Sequence, residues 1–250
     1  MHRVILVVAK NDLCAHTNDM PRLGDIEGAL HFMDFLDFVF GATCPGCRRG
    51  GSQVCQDCRK KISLTRSQNP IEYAGGVMVA HAYQTEIRQI ILAFKYRNQR
   101  AGLNFLADAI VERIAVETRR GLSRIDCVTW APTTVRRKNE RGHDHAELIA
   151  KRVARKMRLK CVDTLTRVSS RPQTGLSREE RLIGPKFVAH ESCARHLLLI
   201  DDVVTTGATL NSASQALYAA GAGLVSCVAI ASTVLWQSST GSCAPEKARR

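Results

Sequence analysis

The stretch "LLLIDDVVTTGATL" spans residues 197–210. Its apolar run reads as a buried strand, ended by Asp201 and Asp202. Thr205, Thr206, Gly207, Ala208 and Thr209 follow, and "LNSASQALYAAGA" (210–222) then has the look of a helix. In open α/β sheets, a strand that ends in a loop opening a helix is where ligands bind. Backbone N–H groups of a Thr/Gly loop and the helix N-terminus together make a phosphate cradle. Gly207 lets the backbone approach closely, and the threonine hydroxyls add donors. A carboxylate facing a phosphate would repel it, so Asp201 and Asp202 suit the hydroxyls of an adjoining sugar. The plainer role for an aspartate here is a helix cap. There is no G-x4-G-K-[ST], so the loop is not a P-loop nucleotide site.

Outward from this stretch, strands alternate with helices, the pattern of a parallel α/β sheet. "TEIRQIILAFKYRNQ" (85–99) has Ile87, Ile90, Ile91 and Phe94 at helical spacing. "LNFLADAIVERIAVETRR" (103–120) continues as a second amphipathic helix. "IDCVTWAP" (125–132) reads as a short buried strand ended by Pro132. A basic loop, "TTVRRKNERGHD" (133–144), leads into the helix "HAELIAKRVARKMRL" (145–159), with Asp144 at its start as a possible cap. "CVDTLTRV" (161–168) reads as a strand and "SSRPQTGLSREERLIGPKF" (169–187) as a long polar loop. "LVSCVAIAST" (224–233) is the last strand. Cys127, Cys161 and Cys227 lie within or beside strands and read as small core residues. Residues 1–32 show no clear period and are expected to be an over-extended or non-essential leader; residues 237–250 are expected to form a flexible tail.

"CPGCRRGGSQVCQDC" (44–58) places Cys44, Cys47, Cys55 and Cys58 as two C-x2-C pairs seven residues apart. Each pair can turn two thiolates toward one ion, and two pairs complete a tetrahedral Zn²⁺ site. All four positions are filled by protein, so the expected zinc is structural. A redox pair is the alternative, but no thioredoxin-like context accompanies it. A polar stretch, "KKISLTRSQNP" (60–70), links this module to the sheet. The domain reading is thus 33–68 for the cysteine module and 69–236 for the α/β domain.

The charge balance is Lys+Arg 36 against Asp+Glu 23, net +13. That surplus serves solubility and attraction to polyanions, or a phosphate-bearing ligand or nucleic acid. Residues 135–160 alone hold ten Lys/Arg against three Asp/Glu. No run approaches the ~18 apolar residues of a membrane helix, so no membrane insertion is expected. The short "VILVVA" has no small-residue cleavage site. A cytoplasmic location is expected, with cysteines as thiols or metal ligands.

"LLLIDDVVTTGAT" resembles the signature of type I phosphoribosyltransferases, which bind 5-phosphoribosyl-1-diphosphate (PRPP). The order of the four-cysteine module, "FKYRNQ", "RRKNERGHDHAELIA", "RPQTGLSREER" and the acidic-threonine loop resembles the ComF family. Here Arg141 and Gly142 are followed by His143 and Asp144, where members often carry an aromatic residue and then Asn-Gln. The resemblance implies a zinc-ribbon-like module, then a phosphoribosyltransferase-like parallel sheet flanked by helices. It implies that Asp201 and Asp202 hold the ribose as the catalytic acidic pair. Thr205, Thr206, Gly207, Ala208 and Thr209 would hold the 5′-phosphate. By position, Arg136, Arg137 and Arg141 correspond to the pyrophosphate-facing loop, while Arg171 and Arg178 lie on a mobile flap. Both segments read equally as solvated surface loops. Lys95, Tyr96 and Arg97 end an amphipathic helix and could line the site or bind a polyanion, with a solvated helix end the plainer role. Mg²⁺ accompanies PRPP, ribose 5-phosphate is a related ligand, and the implied role is DNA uptake or processing, with single-stranded DNA and DNA-processing proteins as partners. Two functions stay open: a phosphoribosyltransferase whose acceptor the sequence does not name, and a non-catalytic DNA-processing accessory protein that keeps the fold.

Overall fold

The computed structural model describes residues 43–50, 53–68, 73–74, 76–96, 100–168, 185–190 and 195–233. In chain order the elements are α1 (Gln56–Gln68), β1 (Tyr73–Ala74), β2 (Val77–Ala82), α2 (Thr85–Tyr96), α3 (Leu103–Arg119), β3 (Cys127–Trp130), α4 (Val135–Arg141), α5 (His145–Met157), β4 (Lys160–Cys161), β5 (Leu165–Val168), β6 (Lys186–Ala189), β7 (His196–Val204), α6 (Ala208–Ala219) and β8 (Leu224–Ser232). One sheet has the order β1-β2-β8-β7-β3-β4. All its neighbours run parallel except β1 and β2. Strands β5 and β6 form a separate antiparallel pair.

The central strand β7 is buried from His196 to Ile200 on both faces, as a parallel sheet covered by helices requires. Successive side chains alternate between two cores. Leu198 and Ile200 join α2, α3 and α5 through Ile90, Phe94, Ile110 and Ile149. Leu197 and Leu199 face α6 and the β5–β6 pair through Leu210, Leu217 and Phe187. Each fully buried side chain of this kind contributes roughly 1.5–3 kcal/mol.

The parallel sheet and its long amphipathic helices match the sequence pattern, and the misreadings have local causes. The supposed polar linker at 60–70 is mostly helix α1. That helix buries Cys58 and Ile62 on one narrow stripe and is polar elsewhere, so no clear period marked it. The supposed basic loop at 133–144 contains α4, capped by Thr134 and stopped by Gly142 at φ 75°. It buries no residue, so hydrophobic spacing gave no sign of it. "CVDTLTRV" is two strands in two sheets, β4 and β5. Lys186 and Phe187, placed in the polar loop, begin β6. Strand β7 continues through Asp201 and Asp202 to Val204. Residues 1–32, 169–184 and 237–250 lie outside the described residues, so the leader, flap and tail readings have no structural counterpart here.

Candidate functional site

Strand β3 leads through α4 and α5 to β4 on one side, while β7 leads through α6 to β8 on the other. The chain therefore reverses direction across the sheet between β3 and β7. Their carboxyl ends open a crevice at this switch point, the position where such sheets take ligands. A cleft of about 250 Å³ lies there.

One wall is acidic. Asp202 receives the Val203 amide on Oδ1 at 2.6 Å, and Asp201 receives the Asp202 amide at 2.8 Å. Lys95, at the end of α2, places Nζ 2.6 Å from Asp202 Oδ2. Both side chains of this pair are more than four-fifths covered (19% and 17% exposed). Burial, reinforced by the Asp202 charge, pushes the Asp201 carboxyl up to about 8. The two aspartates thus differ: Asp202 pairs with Lys95, and Asp201 at neutral pH is predominantly a neutral acid able to donate a hydrogen bond. Of the two roles the sequence leaves to Lys95, a solvated helix end and a place in the site, the fold gives it the second.

The opposite wall is held by Asp144. Its carboxylate accepts from the amides of Thr133 (2.7 Å), Ala146 (3.0 Å) and Glu147 (3.4 Å). It caps α5, as the sequence allowed, and ties the loop after β3 to that helix. Burial pushes its carboxyl up, opposed by those amides. His145 follows, its Nε2 3.1 Å from the Phe94 carbonyl, which fixes the end of α2 that carries Lys95. Burial, with repulsion from His143, lowers His145 to about 4, so it is neutral and able to donate that bond. Among the described residues the only group of three or more potential metal-ligating side chains is the four cysteines.

Cations stand between the walls. Arg137 and Arg141 line the cleft, with Arg141 5.1 Å over the Tyr96 ring. Arg136 instead pairs with Glu140 at 2.7 Å, its side chain 87% exposed. Arg167, on β5, also lines the cleft and rests over Phe187. Reading the sequence missed it, because nothing in "TLTRV" says that β5 leaves the main sheet and crosses to the ligand side. Arg171 and Arg178 lie outside the described residues.

At the base, Thr205 and Thr206 are exposed and Gly207 takes φ 78° as the N-cap of α6. Thr206 Oγ1 accepts from the Ala208 amide at 3.4 Å, and Thr209 reaches the cleft. A Cβ on Gly207 would meet nothing nearer than Val204 Cγ2 at 3.9 Å. The glycine is therefore demanded by backbone conformation, and the space beside it is open to a ligand.

The cysteine cluster is a second, separate centre. The four Sγ atoms lie within 4.8 Å of one another, with Cys44–Cys58 at 3.8 Å and Cys47–Cys55 at 3.6 Å. Thiolates around tetrahedral Zn²⁺ sit about 3.8 Å apart, given Zn–S of about 2.3 Å, so this donor set fits zinc. Burial opposes ionisation of Cys44, but amides of Cys55, Cys47 and Gly46 overcome it and hold the thiol at about 6. Arg48 at φ 65° and the Thr43–Gly50 bridge fold the first knuckle. A Cβ on Gly46 would lie 2.9 Å from Cys58 Sγ, so the knuckle needs glycine there.

Residues 144–245 match the phosphoribosyl transferase domain family. The chain is 28% identical over 200 residues to the competence protein ComFC of Bacillus subtilis (strain 168), covering 73% of this chain and 74% of that protein. A similar solved structure is adenine phosphoribosyltransferase from Leishmania donovani, with TM-score 0.38 and 11% identity over 70% of this chain and 95% of that one. Parallel sheet and domain match give the chain a phosphoribosyltransferase-like domain. With its four-cysteine cluster ahead of that domain, the chain resembles the ComF family. No described helix is long and apolar enough to cross a membrane.

Proposed function

We propose that the cleft binds PRPP together with Mg²⁺, and that the protein serves DNA uptake or processing in competence from the cytoplasm. The observation that carries this reading is the meeting, at one switch point, of an acidic pair, a Thr/Gly loop opening a helix, and three arginines. Asp201 and Asp202 take the ribose 2′ and 3′ hydroxyls, one as donor and one as acceptor. The Thr205–Thr209 loop takes the 5′-phosphate through backbone amides and hydroxyls. Arg137, Arg141 and Arg167 face the diphosphate, and Arg171 and Arg178 close over it. Mg²⁺, a hard cation, would neutralise diphosphate oxygens beside the carboxylates. In a transferase reaction an acceptor forms a bond to C1′ as the C1′–O bond to diphosphate breaks. The arginines stabilise the charge that gathers on the leaving group. The cysteine cluster holds a structural zinc.

Calorimetric titration of PRPP with Mg²⁺ tests the ligand, and diphosphate release with a panel of bases and amines tests turnover. Binding with no turnover leaves the accessory-protein reading. No binding to the wild type removes the PRPP reading.

A further inference from the structure

A second cleft, of about 300 Å³, lies away from the switch point between α1, β2 and α3. Its lining includes His81 from β2 and Phe105 from α3, rings near parallel at 9° with centroids 6.2 Å apart. His81 is 7% exposed and its Nε2 has no hydrogen-bond partner among the described residues. A buried nitrogen left unpaired is costly in a merely structural position, which sets this histidine apart from His196, bonded through both ring nitrogens. Burial and Arg66 keep His81 neutral, lowering it to about 4. From α1, Arg59 lies 5.1 Å over the Phe105 ring while its Nε donates to the Val54 carbonyl.

The two carboxylates of the cleft are compensated. Glu112 pairs with Arg66 at 3.4 Å and Asp108 with Lys156 at 2.7 Å. The Arg59 guanidinium has no carboxylate partner among the described residues, so it is the lining cation left to meet an anionic ligand. Its size suits a single small molecule. An aromatic face takes a flat ring, a neutral imidazole nitrogen takes one polar edge, and a guanidinium fork takes a carboxylate or phosphate.

We propose that this cleft is a binding site for a small planar heteroaromatic anion, with the cysteine module supplying one wall through α1. The anionic group comes from a ring carboxylate or from the phosphate of a nucleotide. Titrating the full chain with orotate and with AMP separates these, the AMP arm run in excess ribose 5-phosphate. Ser63 is an exposed residue lining the cleft, so Ser63→Trp fills it from the surface. That change should abolish binding of whichever probe binds. Arg59→Gln, with zinc content checked, should weaken it about tenfold or more, the scale of a charged hydrogen bond. His81→Phe, which keeps the ring and removes the nitrogen, should weaken it while the protein stays folded. Retained PRPP binding in all three variants would separate this site from the other. The proposal is overturned if neither probe binds the wild type, or if Ser63→Trp leaves the affinity unchanged.

Discussion

The cysteine cluster and the switch-point cleft are built in opposite ways. All four cysteines lie within fifteen residues, and the contacts that shape them lie in the same stretch. The cleft gathers Lys95, the 131–146 segment, Arg167 and the 201–209 loop, parts more than a hundred residues apart in the chain. The energetics differ as well. Cys44 and Cys58 are buried with Val54 and Ile62 in the core shared with α2 and α3, so metal held there reinforces packing. The cleft sets two carboxyl groups side by side, and its Asp201 is held away from its ordinary ionisation. One centre supports the fold; the other is tolerated by it.

The largest expected effect therefore belongs to the cysteines. About one zinc per chain should copurify. Removing it with a chelator under reducing conditions should lower Tm by roughly 10 °C or more, because metal binding is coupled to folding. Cys58→Ser should cost more than Cys47→Ser, since Cys58 is buried and Cys47 exposed. Metal analysis of fresh, reduced protein that finds no zinc would remove this half of the contrast.

The same contrast explains what could be read before the fold was known. Cysteine spacing is local, and so is the "DDVVTTGAT" turn, so both sets of residues were legible. Asp144 as a helix cap and the buried β7 were legible for the same reason. The role of Lys95 stays undecided between site and solvent because its partner, Asp202, stands over a hundred residues away. Arg167 was missed because its importance depends on β5 departing from the sheet. Helix α4 was invisible to periodicity because it buries nothing. The sequence marks residues whose role follows from neighbours in the chain. It is silent on those whose role follows from sheet order.

A second prediction breaks the cleft's ion pair. Lys95→Met leaves Asp202 mostly covered beside Asp201 and without its 2.6 Å partner. Breaking such a pair from one side costs about 3 kcal/mol, read as a fall in unfolding free energy. Adding Asp202→Asn should recover much of that loss, and a double-mutant cycle measures the coupling. Purely additive single effects would mean that the 2.6 Å contact contributes nothing.

Asp201→Asn should act in the other direction. Its folded pKa, about 8, lies above the ordinary carboxyl value of 3.8. The folded state thus binds a proton that the unfolded state releases, and stability falls as pH rises from about 4 to about 8. The amide removes that penalty. Its stabilising effect should be small near pH 4, grow through this window and level off above it, while PRPP stabilisation is lost. A stability difference that does not vary with pH would sink the assignment. Gly207→Val should cost roughly 1–2 kcal/mol from its left-handed backbone, with no packing clash to add. Loss of PRPP binding should exceed that stability cost.

The smallest effect on stability is expected on α4, where Arg136 and Lys138 face solvent and Arg137 also borders the cleft. Basic segments should bind single-stranded DNA weakly, with affinity falling as salt rises through counterion release. Replacing Arg136, Arg137 and Lys138 by Gln removes three cations. Arg136 already pairs with Glu140 and Lys138 with Glu147. Three free contacts would lower the salt slope by about 2, at about 0.7 per phosphate on a single strand. With two cations already compensated, the expected reduction is nearer 0.7. Stability should change by less than about 1 kcal/mol, since these pairs are exposed. A reduction near 2 would show that DNA displaces the internal carboxylate partners. An unchanged slope would move the contact elsewhere on the basic surface, such as Arg155, Arg158 and Lys160, all exposed. Affinity independent of salt would refute a phosphate-dominated mode altogether and leave phosphate recognition to the two clefts.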